Sequence, residues 1–399
     1  MERVILRKNP EAMMIHRENI TKCEGEPNGF KAFYNQKNQF LGYGYLCEQH
    51  KAAGFILTKE KEPLDVSFFT RLFKKARARR DYYFAHQDTT SAFRLFNAEG
   101  DGLGGLTVDL YNDYAVFSFY NEVLYTQRFL LLEAFTEVFK DVVKGSYLKI
   151  RFQSDRPVSQ HFSGDIALEH FSIVENGVKY EVALDEGWMT GIFLDQHEVR
   201  GRLVDGQACG MKVLNAFSYT GAFSIAAAMG GAYQTVSVDL ASRSLEKTRE
   251  NFIINGLNPE DHEIRVMDIF SYCDWAKKKG IQFDMVILDP PSFARNGKKT
   301  FSVAKDYGKL VAAILPLVKE DGGIIICSTN AANVSLPHYR AMIEETLQKE
   351  HWNYEELFFD SLPKDFVVSK QYKEGNYLKV CTYGIQKNKN RHSHANFTF

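Results

Sequence analysis

Residues 211–217, MKVLNAF, are followed by the helix-like SIAAAMGGA (224–232), the strand-like TVSVDL (235–240) and the helical SRSLEKTRENFIINGL (242–257), and this alternation decides the fold. It continues through EIRVMDIF (263–270), a helical stretch, FDMVILDPPSF (283–293), a second helical stretch and GGIIICST (322–329). Strands separated by helices at this spacing close most simply as right-handed parallel crossovers. Runs such as MVIL and GIIIC lack polar alternation, as expected where helices cover both faces of a sheet. The expectation is a doubly wound α/β domain over residues 181–399. Its ligand belongs outside the carboxyl ends of the strands, where the strand order reverses.

Upstream the texture differs. Residues 29–57, GFKAFYNQKNQFLGYGYLCEQHKAAGFIL, break aromatic and aliphatic stretches with Asn, Gln and Gly, which predicts short strands on tight turns in a β-rich module over 1–68. The run VSFFTRLFKKARARRDYYFAHQ (66–87) repeats Phe68, Phe69, Leu72 and Phe73 at helical spacing beside Arg71, Lys74, Lys75, Arg77, Arg79 and Arg80. That is an amphipathic basic helix. Arg71, Lys74, Lys75 and Arg79 are candidate contacts to an anionic partner, and a solvated face without a partner is the plain alternative. Two strand-like runs in 91–120, a helical stretch over 123–139 and YLKIRFQS (147–154) predict a strand-strand-helix-strand-strand α+β unit over 69–180. Gly100, Gly102 and Gly105 in EGDGLGG satisfy GxGxxG, but LTVDLY follows where a phosphate-binding helix is required, so a turn between strands is expected instead.

Composition removes several classes. The chain has 399 residues, 45% hydrophobic and 25% charged, as ordinary globular chains do. Its 49 Lys and Arg against 50 Asp and Glu leave a net charge of -1, so any anionic partner is held by a local patch. No apolar run approaches the ~20 residues that span a bilayer, and MERVILRKNPEAMM does not read as a secretory signal. Six scattered cysteines without a CxxC pair predict neither zinc nor disulfides, and a reducing, cytoplasmic setting. His392 and His394 in the tail lack further ligands, so no metal is expected.

Chemistry concentrates at the strand ends. The first strand runs into Asn215, Phe217, Tyr219 and Gly221, where one glycine in place of three suits a ligand smaller and less anionic than a dinucleotide. Twenty-four residues on (239 minus 215), Asp239 ends the second strand beside Leu240, placed to accept from both hydroxyls of a ribose. Asp268 ends the third, beside Ile269, and suits an exocyclic amine. Each acid alone is as well explained by a turn or helix cap. The ordered set describes ribose plus adenine without phosphates, as in S-adenosyl-L-methionine. The fourth strand ends in Asp289, Pro290, Pro291, Ser292 and Phe293; consecutive prolines remove two N–H donors and leave carbonyls facing outward, with an aromatic ring able to stack on a base.

NAFSYTGAFSIAAAMGGA, SVDLASRSLEKTRENFIINGL, ILDPPSFARN and TGIFLDQHEVR resemble the class I S-adenosylmethionine-dependent methyltransferases of large-subunit ribosomal RNA that carry an N-terminal PUA module and a central EEHEE domain. The resemblance covers nearly the whole chain, is most specific at DPPSF and TGIFLDQ, and departs from the family over residues 1–22. It implies a Rossmann-like catalytic domain holding the cofactor through Gln196, Phe217, Tyr219, Gly221, Asp239, Leu240, Asp268, Ile269 and Asp289. It further implies that Pro290 and Pro291 border the methyl group and target base, that S-adenosyl-L-homocysteine is the product, that 23S RNA or its precursor particle is the partner, and that Arg71, Lys74, Lys75 and Arg79 make RNA-binding phosphate contacts.

One departure bears on the target. Cytosine C5 is a poor nucleophile, and its methylation needs a cysteine thiolate to add at C6. The family's cytosine-5 members carry that cysteine just after the fifth strand. Here one alignment puts Thr329 at that position and another puts Asn330, while Cys327 falls within the apolar strand. Guanine N7 exposes a lone pair and needs no covalent activation. Guanine N7 of 23S RNA is therefore favoured over cytosine C5. An exocyclic adenine amine is disfavoured, because the enzymes of that class that the motif resembles usually carry Asn at the place of Asp289. A non-catalytic RNA-binding assembly factor and a small-molecule methyltransferase are the other readings; the intact acid set weighs against the first, the basic helix against the second. Tyr307 reads equally as a pocket wall or a core residue. Self-association through the β-rich module as a homodimer is compatible with the sequence, but no motif reports it.

Overall fold

The computed structural model describes residues 1–10, 13–49, 52–296 and 299–388, and the chain divides into two compact units. Unit 1 comprises residues 1–174, 182–190 and 364–375; unit 2 comprises 175–181, 191–363 and the chain from Asn376. Among the described residues no helix is long and apolar enough to cross a membrane.

Unit 1 begins with a six-stranded sheet of β1 (Glu2–Leu6), β2 (Met14–Ile15), β3 (Ile20–Cys23), β4 (Gly29–Asn35), β5 (Phe40–Gln49) and β6 (Ala52–Thr58), in the order β2-β6-β5-β4-β1-β3. Helix α1 (Val66–Ala78) starts where the Asp65 carboxylate accepts from Phe68 N at 3.1 Å, and it buries Phe68, Phe69, Phe73 and Ala76. The short α2 (Asp81–Ala85) leads to a second sheet of β7 (Ala92–Asn97), β8 (Leu106–Tyr111), β9 (Tyr114–Phe119), β10 (Gly145–Ile150) and β11 (Ser159–Gly164), ordered β11-β10-β9-β8-β7. Helices α3 (Ala98–Asp101), α4 (Glu122–Thr126) and α5 (Arg128–Phe139) lie between these strands in sequence. One hydrophobic cluster runs from Tyr45 and Phe55 of the first sheet through Phe73 to Phe117 and Phe135. The expected boundary at 68/69 falls inside α1, whose Phe73 ring meets Phe135 edge-on at 5.4 Å.

Two details differ from the sequence reading. Three strands, not two, precede the helical stretch, because Asn112 takes φ +55° and turns β8 into β9 in two residues, with Tyr111 opposite Tyr114. The helical stretch is split at Gln127, at φ −90° and ψ 9°, between α4 and α5. The glycine-rich segment is a connection between antiparallel β7 and β8, as expected. A Cβ on Gly100 would stand 1.7 Å from the Val367 carbonyl oxygen, and one on Gly105 2.3 Å from Asn121 Nδ2. Close packing, not a phosphate, requires those glycines.

The hairpin of β12 (Phe171–Glu175) and β13 (Val178–Val182) turns on Asn176 and Gly177, at φ +52° and +76°. After α6 (His197–Arg202), unit 2 is a seven-stranded sheet of β14 (Lys212–Ala216), β15 (Gln234–Asp239), β16 (Glu263–Val266), β17 (Met285–Leu288), β20 (Gly323–Thr329), β21 (Trp352–Asp360) and β22 (Lys379–Lys387). The small antiparallel pair β18 (Phe293–Asn296) and β19 (Lys299–Ser302) stands apart from it. The order is β16-β15-β14-β17-β20-β22-β21; the first five strands run parallel, and β22 is antiparallel to both β20 and β21. Helices α7 (Ala222–Met229), α8 (Arg243–Ile254), α9 (Ile269–Lys278), α10 (Val303–Ile314) and α11 (Leu336–Lys349) supply the connections. The order reverses between β14 and β17, so the crevice lies where their carboxyl ends part.

Candidate active site

The connection from β14 to α7 is a tight, left-handed turn. Phe217, Tyr219 and Gly221 all have positive φ, at +61°, +51° and +77°. Two of them carry side chains, and each such residue costs of order 1–2 kcal/mol unless its surroundings over-determine it. Here they do: Tyr219 N donates to Asp239 Oδ2 at 2.8 Å, Ser218 N to the Val238 carbonyl at 3.0 Å, Thr220 Oγ1 to the Gly191 carbonyl at 2.7 Å, and Asn251 Nδ2 to the Thr220 carbonyl at 3.0 Å. A Cβ on Gly221 would sit 2.5 Å from Thr248 Cγ2, so glycine alone lets α7 start this close to α8. The aromatic rings of Phe217 and Tyr219 stay half-exposed beside the crevice.

Asp239 is half-buried and already organises two backbone donors, Tyr219 N on Oδ2 and Ala241 N on Oδ1, each at 2.8 Å. Each carboxylate oxygen retains a second lone pair. Leu240 beside it is 55% exposed, an apolar surface at the mouth. Asp268 caps α9, accepting from Ser271 N at 3.1 Å through Oδ1, so that Oδ2 takes no part in this cap bond; Ile269 is buried against the core. Asn215, expected to touch the ligand, is 0% exposed: its Nδ2 donates to Ser224 Oγ at 3.0 Å, and Ser224 meets Ser237 Oγ at 2.7 Å. It ties α7 to the sheet and positions the turn from beneath.

A polar cluster closes the crevice. The 3-10 turn Leu194–Gln196 carries Gln196, nearly buried, whose Oε1 accepts from Ser328 Oγ at 3.3 Å. Burial pushes the Asp289 carboxyl above its ordinary range, and hydrogen bonds from Ser328 and Gln196 draw it partly back. Arg200 holds this turn from behind: fully enclosed, it pairs with Glu175 at 2.6 and 2.8 Å and donates to the Phe193 carbonyl at 2.7 Å. Tyr307 is a core strut: its hydroxyl donates to the carbonyls of Leu288 (3.3 Å) and Ser328 (3.1 Å), tying the ends of β17 and β20. Sequence reasoning missed Ser328, Arg200 and Glu175. A polar residue ending an apolar strand was the signal for Ser328; nothing local marked the ion pair.

A family model described as S-adenosylmethionine-dependent methyltransferase matches residues 122–354. The chain belongs to this family. It is 45% identical over 349 residues to a Bacillus subtilis (strain 168) protein named as a ribosomal RNA large subunit methyltransferase, YwbD, covering 86% of this chain and 87% of that one. It is 30% identical over 367 residues to a ribosomal RNA large subunit methyltransferase of Deinococcus radiodurans, covering 90% and 89%. Among solved structures, SMU.776, described as a methyltransferase complexed with SAH, superposes with a TM-score of 0.90 at 41% identity, over 96% of this chain and all of that one.

The methyltransferase takes S-adenosylmethionine as its methyl donor, and the strand ends fit it chemically. Asp239 offers the carboxylate for a ribose diol, Leu240 and Phe217 offer apolar surface for adenine, and Asp268 offers an acceptor for its amine. Past β17, Pro290 is buried, Pro291 exposed, and Phe293 is 63% exposed beside the crevice. At the end of β20 the three positions at issue separate. Cys327 is 0% exposed, and burial holds its thiol far above the ordinary range. Thr329 is also enclosed, its Oγ1 accepting from Ala331 N at 3.1 Å. Asn330 alone faces outward, with Oδ1 accepting from Ser292 Oγ at 2.5 Å.

The basic helix of the methyltransferase is less free than its composition suggests. Arg71 pairs with Glu62, Arg77 with Asp141 at 2.7 Å, and Arg79 with Asp101 and the Gly100 carbonyl, both at 2.9 Å. Arg80 is completely buried, bound to Asp101 at 2.7 and 2.8 Å and to the Asp365 carbonyl at 2.5 Å. Lys74 and Lys75 remain exposed, without an ion pair among the described residues. His392 and His394 lie outside the described residues.

Proposed function

We propose that this methyltransferase acts on 23S ribosomal RNA and methylates guanine at N7, in the free RNA or a precursor particle. The carrying observation is the end of β20, where the cysteine is enclosed in the sheet and the outward residue is Asn330, which has no nucleophilic atom. Covalent activation of cytosine has no thiolate to begin from among the described residues of this crevice. The names of the relatives support the RNA class.

When bound, S-adenosylmethionine supplies a methyl group on a sulfonium, which a lone pair displaces to leave the thioether. The chain's own task is then alignment and exclusion of water, worth several kcal/mol without any proton transfer. Asp239, Asp268, Leu240, Phe217 and the left-handed turn orient the donor. Asp289, beside Ser328 and Gln196, lies next to Pro290 and Pro291, which border the meeting place of the two substrates, and Phe293 offers a face for the base. With Oδ1 engaged by Ser292, Asn330 keeps both amide N–H donors for an acceptor such as guanine O6 beside N7. Lys74 and Lys75, with the β-rich PUA-like module, supply sequence-independent RNA contacts.

The test is methyl transfer from labelled S-adenosylmethionine to deproteinised 23S RNA by the wild type and by Cys327→Ser. The reading expects label in the RNA and a variant within about twofold of wild type. Activity lost in Cys327→Ser, with cofactor binding intact, would instead favour the cytosine reading.

A further inference from the structure

A cleft of about 380 Å³ opens in unit 1 between the start of β4, the end of β5 and α4, and its walls are chemically divided. Phe30 and Phe152 line it with aromatic rings, Glu48 and Glu122 with carboxylates. The rings are held in place: Phe30 meets the buried Tyr45 edge-on at 6.4 Å, and Phe152 meets Tyr125 edge-on at 6.0 Å. Two guanidiniums stand over the Tyr125 ring beside the cleft, Arg128 at 4.5 Å and Arg156 at 5.0 Å from its centroid. Arg156 donates to Glu122 at 2.9 Å, whereas Arg128 and Glu48 make no ion pair among the described residues.

A wholly basic surface takes any phosphate, and a wholly acidic one takes a cation. Carboxylates and rings in the lining, with guanidiniums over the neighbouring Tyr125 ring, suit a ligand divided the same way, an anionic phosphate joined to a flat, donor-bearing base. Of the four RNA bases, guanine alone carries two neighbouring donors, N1–H and N2–H, on one edge, and a single carboxylate accepts such a pair. We propose that this cleft binds an unpaired guanine nucleotide of the substrate RNA. Glu48 accepts from the Watson–Crick edge, Phe152 and Phe30 flank the base, and Arg128 meets the phosphate. Every residue that lines the cleft belongs to unit 1. The inference rests on the RNA reading above only for the identity of the polymer.

The experiment titrates the full chain with GMP, AMP, CMP and UMP by calorimetry or ligand-observed NMR, for wild type, Glu48→Gln and Phe152→Ala. GMP is expected to saturate and to bind about tenfold tighter than the other three. Glu48→Gln should abolish that preference, while Phe152→Ala should weaken all nucleotides. Glu48→Gln is near-isosteric and exposed, so it carries the test if Phe152→Ala does not fold. In parallel, the KM for 23S RNA should rise about tenfold in Glu48→Gln with kcat and cofactor binding unchanged. Absent GMP binding, equal binding of all four nucleotides, or a Glu48→Gln variant that keeps both preference and KM overturns the proposal. RNA methylated normally with no GMP bound sinks the cleft and leaves the enzyme reading intact. GMP bound as described with no RNA methylated supports the cleft and sinks the enzyme reading.

Discussion

The crevice of the seven-stranded sheet and the surface of α1 were both marked by conspicuous residues, and they differ in what those residues do. At the crevice, Asp239 and Asp268 each hold local backbone donors and keep acceptor lone pairs for a ligand, and Asp289 is enclosed beside Ser328 and Gln196. On α1 and just past its end, Arg71, Arg77, Arg79 and Arg80 are engaged by Glu62, Asp141 and Asp101, and Lys74 and Lys75 are left. Position in a topology constrains chemistry, because strand ends beside the switch point must face a crevice. A run of like charge carries no such constraint, since each guanidinium can be absorbed by the nearest carboxylate.

That contrast predicts opposite phenotypes for neighbouring cations. Arg80→Met strips the buried Asp101 of two charge-assisted bonds, leaving it Arg79 and Asn97 N, and should cost about 2–4 kcal/mol in denaturant unfolding. A cost below about 1 kcal/mol would break the comparison, because Arg80 would then be dispensable to the fold. Next in size, Asp239→Ala removes the acceptor of Tyr219 N and Ala241 N together with the proposed ribose partner, and calorimetry should find S-adenosylmethionine binding weakened about a hundredfold. A variant that binds within threefold of wild type would show that the crevice is not read through its strand ends.

Smaller effects sharpen the surface side. Lys74→Glu with Lys75→Glu should leave unfolding within about 0.5 kcal/mol while reducing the slope of log affinity for RNA against log salt by about two. An unchanged slope would remove α1 from the RNA contact altogether. The smallest effect concerns thiols: burial pushes Cys47, Cys273 and Cys381 up to about 12 and Cys327 higher still, so at pH 8 the native chain should alkylate rapidly at the exposed Cys209 and not at these four. Mass-spectrometric mapping of early adducts checks it, and rapid labelling of Cys327 would reopen the covalent route.

Much of the catalytic unit was legible because its signals are local and ordered. A strand end and an acid recur in register with the crossovers, and the five parallel strands follow from them; the antiparallel β21 and β22 carry no such signal. Asn215 misled because it lies within a strand rather than after it, facing α7 instead of the crevice. The Glu175–Arg200 pair joins β12 to α6 across 25 residues, and no local pattern announces a partner chosen by tertiary packing. The extra strand in unit 1 turned on Asn112, whose left-handed conformation needs only two residues between β8 and β9. Tyr307 reads in the sequence equally as pocket or core, and two carbonyl acceptors from different strands decide for the core.

The central claim is methyl transfer without a cysteine nucleophile, and the most direct test is nucleoside mass spectrometry of 23S RNA after incubation with the protein and methyl-labelled S-adenosylmethionine. The account predicts label in 7-methylguanosine, on free RNA or on a precursor particle. Label in 5-methylcytidine would contradict it, because the enclosed Cys327 would then have to reach the base.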